Sequence, residues 1–125
     1  MSNQMPRIVV VEDDASMRQA IERILQAGGF AAAVFASAEL ALEASATAVA
    51  DCLVLDIHLP GMSGFELHRQ LTLSGKVTPA IFITAHDEPA VREEAESLEG
   101  VGSYLPKPFS GHDLLDAVTL ALRRQ

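Results

Sequence analysis

Five residues of this chain carry side chains suited to one piece of chemistry, and each follows an apolar run. Glu12 and Asp13 come after Ile8-Val9-Val10-Val11, and Asp56 after Cys52-Leu53-Val54-Leu55. Thr84 comes after Ile81-Phe82-Ile83, and Lys107 lies just past Val101-Gly102-Ser103-Tyr104-Leu105. Three carboxylates brought together repel, each costing the others in solvation and Coulomb energy. At least one of Glu12, Asp13 and Asp56 is therefore expected to have a raised pKa without metal. A divalent cation that prefers oxygen relieves the crowding; Mg²⁺ takes one or two carboxylates, backbone oxygen and several waters. Lys107 puts a positive charge on a long stem, suited to an anionic oxygen, and Thr84 can donate to a second oxygen. Metal, lysine and hydroxyl around one acid are what phosphoryl transfer to that acid requires. A carboxylate nucleophile then gives an aspartyl phosphate. Asp56 is the candidate, because its strand is central and the others flank it.

The elements that position these residues read as strands alternating with helices. Arg7–Val11 is β-branched and apolar, a first buried strand. Asp14 or Ser16 caps the helix after it, with Met17, Ala20, Ile21, Ile24 and Leu25 at helical spacing and Gly28-Gly29 as its stop. Phe30–Phe35 reads as a second strand despite its alanines, which are poor strand formers. Ser37 caps a second helix through Leu40, Ala41, Leu42 and Ala44. The run Cys52–Leu55 has no polar alternation and predicts a strand buried on both faces, ending in Asp56 before the Pro60-Gly61 and Ser63-Gly64 turns. Ser63 and Glu66 have capping-box spacing, and Phe65, Leu67 and Leu71 are the inward positions of the helix they open. Pro79–Ile83 is a fourth strand, and Asp87-Glu88-Pro89 starts a helix with acids at the positive end of its dipole. A short fifth strand, Val101–Leu105, carries Tyr104. Ser110–Asp113 then caps a last helix with Leu114, Leu115, Val118 and Leu122 inward. Five such alternations with short connections make a parallel sheet covered on both faces. All its strands end on one edge, where ligands gather in open sheets.

Composition bounds the remaining classes. The chain has 125 residues, 49% of them hydrophobic, enough for one domain (residues 1–125) with a single good core. No apolar run approaches the ~20 residues of a membrane span, and Met1–Pro6 lacks a basic region followed by an apolar stretch. The one cysteine, Cys52, reads as a core thiol, and the whole fits a reducing cytoplasm. A formal charge of −8 argues against direct nucleic-acid binding.

Four stretches together resemble a known family, the receiver domains of two-component response regulators. They are Val11-Glu12-Asp13-Asp14, Leu55–Gly64 with Asp56-Ile57-His58-Leu59-Pro60-Gly61, Ile83-Thr84-Ala85-His86, and Tyr104-Leu105-Pro106-Lys107-Pro108-Phe109. The resemblance runs from Ile8 to about Leu122. It implies a flavodoxin-like doubly wound sheet of five parallel strands, order 2-1-3-4-5, with five helices. It also implies Asp56 as phosphoacceptor, and Mg²⁺ (or Mn²⁺) held by Asp13, by Glu12 through water, by Asp56 and by the backbone carbonyl of His58. Lys107 and Thr84 would contact the phosphoryl oxygens, and Lys107-Pro108 would be cis. Thr84 and Tyr104 match the family's switch residues, the threonine moving toward the phosphoryl group as the aromatic turns inward. Glu12 departs from the commoner Asp. The implied donor is a sensor histidine kinase or phosphotransfer protein docking on the first helix and its neighbouring loops. The fourth helix, fifth strand and fifth helix would form the output or homodimer surface. Such a domain catalyses only its own phosphorylation and dephosphorylation.

The plainer readings are a strand-end hydroxyl for Thr84 and a half-buried core aromatic for Tyr104. His68 and His112, on helices, are assigned to solvated surface. His58 and His86 each sit two residues after a site residue at the acidic rim, where an imidazole can bind metal; His58 reads as turned outward. A phosphohydrolase of the haloacid dehalogenase type would need an Asp where His58 stands. A flavodoxin-like cofactor binder would need a phosphate loop where Glu12-Asp13-Asp14 repels phosphate. An interaction module with an inactive site, or the N-terminal piece of a regulator with an output domain, are the remaining alternatives; Leu122–Gln125 would then be a linker's start.

Overall fold

The computed structural model describes residues 5–98 and 101–123, with backbone alone for 101 and 102. The readings of Met1–Gln4 and of Arg124-Gln125 lie outside the described residues. The elements are β1 (Arg7–Val11), α1 (Ala15–Ala27), β2 (Ala31–Phe35), α2 (Ala38–Glu43), β3 (Cys52–Asp56), α3 (Gly64–Leu73), β4 (Ala80–Thr84), α4 (Pro89–Ser97), β5 (Val101–Pro106) and α5 (Gly111–Arg123). A single 3-10 turn, Ala46–Val49, which periodicity did not signal, joins α2 to β3. The five strands pair in parallel in the order β2-β1-β3-β4-β5.

Alternation along the strands divides the core in two, because successive side chains point to opposite faces. Val9, Val11, Leu53, Leu55, Phe82 and Tyr104 pack on one face with α2, α3 and α4 residues. Ile8, Val10, Cys52, Val54, Ile81 and Ile83 pack on the other with α1 and α5. Cys52 is a buried core thiol, its pKa pushed up to about 12 by burial.

Local chemistry sets the helix ends. Asp14 caps α1 by accepting from the Met17 N–H at 2.9 Å, and the helix stops at Gly28, followed by Gly29 at φ 92°. The Ser63–Glu66 capping box is complete, with bonds of 3.1 and 3.2 Å, and the Asp113 N–H donates to Ser110 Oγ at 3.0 Å at the start of α5. Pro89 opens α4, but Glu88 makes no side-chain cap there and Asp87 turns to other partners.

Three readings of which way helix residues face need correction. Ala20 is exposed on α1. On α2 the buried residues are Ala38 and Ala41, while Leu40 and Ala44 face out. Ala38 and Ala41 share the face that packs on the core with Leu42 at its margin, whereas Leu40 lies on the opposite side of this six-residue helix. His68 is the largest departure. It is 4% exposed, edge-to-face with Phe82 at 5.6 Å, and its Nε2 has no hydrogen-bond partner. It lies next to Leu67 on the buried stripe of α3, and helix period alone does not fix where that stripe ends.

Burial pushes the His68 pKa below its ordinary 6.5, so between the two values the unfolded chain binds more protons than the folded one. Its contribution is present above pH 6.5 and lost as pH falls through the depressed folded value. Replacing His68 by Leu removes a buried unpaired polar atom at similar volume. We expect it to stabilise the fold by about 1 kcal/mol near neutral pH, and by more below it. Urea melts of both proteins at two pH values check this; a variant less stable than wild type at both would show that the imidazole has a partner in solution.

Candidate functional site

Strand register delivers the chemistry-bearing residues to one edge. Val11 pairs with Leu55, so Glu12 and Asp56 are the next residues on adjacent strands. Asp56 pairs with Ile83, which places Thr84 one step further, beside Pro106. The Lys107 N–H then donates to the Thr84 carbonyl at 2.7 Å and fixes the start of the loop beyond β5. The Lys107-Pro108 peptide is cis, as the resemblance implied.

Lys107 bridges the acids. Its Nζ lies 2.7 Å from Glu12 Oε1 and 3.3 Å from Asp56 Oδ2. The other oxygens are also engaged: Glu12 Oε2 accepts from the Asp14 N–H at 3.0 Å, and Asp56 Oδ1 from the His58 N–H at 3.1 Å. Glu12 and Asp56 are buried, whereas Asp13 is exposed. One carboxylate oxygen from each of Glu12, Asp13 and Asp56 lies within 4.8 Å of the others, close enough to share a metal ion.

The electrostatics follow from this burial. Glu12 is pushed up to about 7, first by burial and further by the Asp56 charge, against the pull of Lys107 and the Asp14 amide. A raised acid was expected here from crowding; desolvation is the larger cause. Burial draws Lys107 down, but the Glu12 hydrogen bond and the charges of Asp56 and Glu12 outweigh it and hold its pKa raised.

Thr84 is fully buried and bonded to its own loop. Its Oγ1 accepts from the His86 N–H at 2.9 Å and donates to the His86 carbonyl at 3.3 Å. Tyr104 is turned in, 7% exposed, and its hydroxyl donates to Asp87 Oδ1 at 3.1 Å. Arg92 pairs with the same carboxylate at 3.3 Å and lies 4.7 Å over the tyrosine ring. Burial and the bond to Asp87 both push the phenol pKa up. His58 and His86 are exposed, their rings edge-to-face at 5.2 Å on the rim. His112 is exposed beside Asp116, as expected.

Sequence reasoning missed three contacts around the site. Arg18 Nη1 donates to the Glu12 carbonyl at 2.9 Å, and Asp87 with Arg92 holds Tyr104. Arg18 lies one turn into α1 from the cap Asp14, a spacing that places it over the preceding loop, but nothing in its type announces a backbone partner.

Fold and site together define a flavodoxin-like α/β domain with an acidic, lysine-bridged edge at the carboxyl ends of its strands. A family model described as "Response regulator receiver domain" matches residues 8–119. Nodulation protein W of Bradyrhizobium diazoefficiens is 38% identical over 117 residues, covering 94% of this chain and 51% of that protein. Among solved structures, response regulator StyR aligns with TM-score 0.83 and 39% identity over 96% of this chain and 60% of that one. Chemotaxis protein CheY4 of Vibrio cholerae aligns with TM-score 0.85 and 28% identity, over 94% of this chain and 99% of its own. The chain belongs to the receiver domains of two-component response regulators. It spans about half the length of the first of these relatives.

Proposed function

We propose that Asp56 accepts a phosphoryl group from a phosphohistidine of a sensor kinase or phosphotransfer protein and relays its arrival to the α4–β5–α5 face. The observation that carries this reading is Lys107 bonded at once to Glu12 and Asp56 where three carboxylate oxygens come within 4.8 Å. Mg²⁺, or Mn²⁺, fits that donor set: Glu12, Asp13, Asp56 and the His58 carbonyl would hold it, and it would neutralise charge on the phosphoryl oxygens. No helix among the described residues is long and apolar enough to cross a membrane; a cytoplasmic setting fits the family's phosphodonors.

One oxygen of Asp56 forms the new O–P bond as the donor's P–N bond breaks; the electron pair returns to the imidazole nitrogen, and a proton taken up from water leaves the donor histidine neutral. Lys107 is placed to follow the charge. Released from Asp56 Oδ2, its ammonium can pair with an equatorial phosphoryl oxygen while Glu12 keeps it in place. Thr84 can reach the phosphoryl group only by giving up its bond to the His86 carbonyl. That frees the loop carrying Asp87, the partner of Tyr104, so events at Asp56 reach the α4–β5 surface through residues 84–87. A homodimer through α4, β5 and α5 would read this change.

Incubation with acetyl phosphate and Mg²⁺, followed by intact mass measurement, is expected to add one phosphoryl group, and chelation of the metal to prevent it. A protein that stays unmodified under these conditions would contradict the proposal.

A further inference from the structure

The three residues between β1 and α1 carry two of the three clustered carboxylates, and several of their polar atoms are already bonded. The Glu12 N–H donates to Phe35 O at 3.0 Å, the Asp14 N–H to Glu12 Oε2 at 3.0 Å, and Asp14 Oδ1 accepts from the Met17 N–H at 2.9 Å. The carbonyls of Glu12 and Asp13 are held differently. Arg18 reaches back from α1, its Nη1 donating to Glu12 O at 2.9 Å with Asp13 O at 3.4 Å. Its own backbone N–H is bonded to Asp14 O at 2.9 Å in the first turn of the helix, and the guanidinium folds back over that turn. One side chain outside the family's site motif thus grips the main chain of both residues whose carboxylates meet Asp56.

We propose that Arg18 is a positioning residue for the cation-binding edge: it fixes the backbone of Glu12 and Asp13, and with it the directions from which their carboxylates approach Asp56. This rests on the Mg²⁺ reading above. Position and charge act in opposite senses here. A guanidinium near a divalent cation repels it, so if Arg18 acted through charge alone its removal would tighten metal binding. Groups that orient ligands act the other way, and their loss typically weakens metal affinity about 10–100-fold. The sign of the change therefore separates the two roles.

Direct binding of Mn²⁺, read from the free-ion paramagnetic resonance signal and by competition with Mg²⁺, tests this on wild type, Arg18→Ala and Arg18→Lys. The metal-free melting temperature of each is recorded alongside. Arg18→Ala is expected to raise the dissociation constant about tenfold with little change in metal-free melting. Arg18→Lys, with one ammonium in place of a fork, is expected to recover part of the affinity. Unchanged or tighter binding by Arg18→Ala would overturn the proposal, as would weakened binding accompanied by an equally large loss of metal-free stability that Arg18→Lys does not restore. Failure of wild type itself to bind either ion would instead overturn the Mg²⁺ reading on which the proposal rests.

Discussion

Asp56→Asn is expected to abolish phosphoryl uptake from acetyl phosphate while leaving the fold intact. The carboxamide matches the carboxylate in size but lacks the anionic oxygen that forms the bond to phosphorus. The loss should exceed about 10⁴-fold in rate, the scale on which removing a nucleophile acts. Stability should change little, because two effects oppose. Asp56 accepts from the His58 N–H at 3.1 Å and from Lys107 at 3.3 Å, and an amide sets a donor against one of them. The substitution also removes one negative charge from a buried cluster in which Glu12 is already pushed up to about 7. Intact mass after acetyl phosphate treatment, with a thermal melt on the same sample, reads both. Labelling of the variant at the wild-type rate would move the acceptor to another residue.

The second large effect is expected at Gly64, where stability and the site are coupled through backbone. Gly64 is the first residue of α3, its N–H donating to Ile57 O at 3.2 Å. A Cβ there would stand 2.4 Å from the Asp56 carbonyl oxygen and 3.1 Å from its carbon, with Ile57 Cα at 3.2 Å. All three are main-chain atoms of the strand end that carries the acceptor, so no side-chain rotation relieves the clash. Alanine normally gains about 1 kcal/mol over glycine in a helix. Here overpacking reverses the sign, and Gly64→Ala should cost about 3 kcal/mol. Gly111→Ala is the control. Its Cβ would meet Ile24 side-chain atoms at 3.4–3.5 Å, ordinary contact, and it should be neutral or stabilising. Denaturant melts of both variants decide the matter, and the labelling rate of Gly64→Ala shows whether moving the Asp56 carbonyl also moves the acceptor. Equal stability of the two variants would mean that α3 can slide away from β3 at no cost.

Much of this molecule was legible in the chain alone, for a physical reason. A strand buried on both faces must be apolar throughout, so the first, third and fourth strands declared themselves, and each ended at a polar residue that burial would otherwise forbid. In a parallel sheet all those ends share one edge, so convergence of Glu12, Asp56, Thr84 and Lys107 followed from topology before any distance was known. Caps at Ser37, Ser63 and Ser110 were readable because they depend on residues three positions apart; for α1 the structure chose Asp14 over Ser16.

What only the tertiary structure decided depends on neighbours distant in sequence. Helix period did not show that α2 turns Ala38 inward and Leu40 outward, because that depends on which side of the helix the sheet covers. It did not show His68 against Phe82, since the width of a buried stripe is set by the elements packed on it. Charge crowding anticipated a raised acid, but burial selected Glu12, and register set Lys107 between Glu12 and Asp56. The grip of Arg18 on two carbonyls and the hold of Asp87 on Tyr104 were likewise invisible, because backbone oxygens carry no residue label and a surface carboxylate looks the same in sequence whatever it faces.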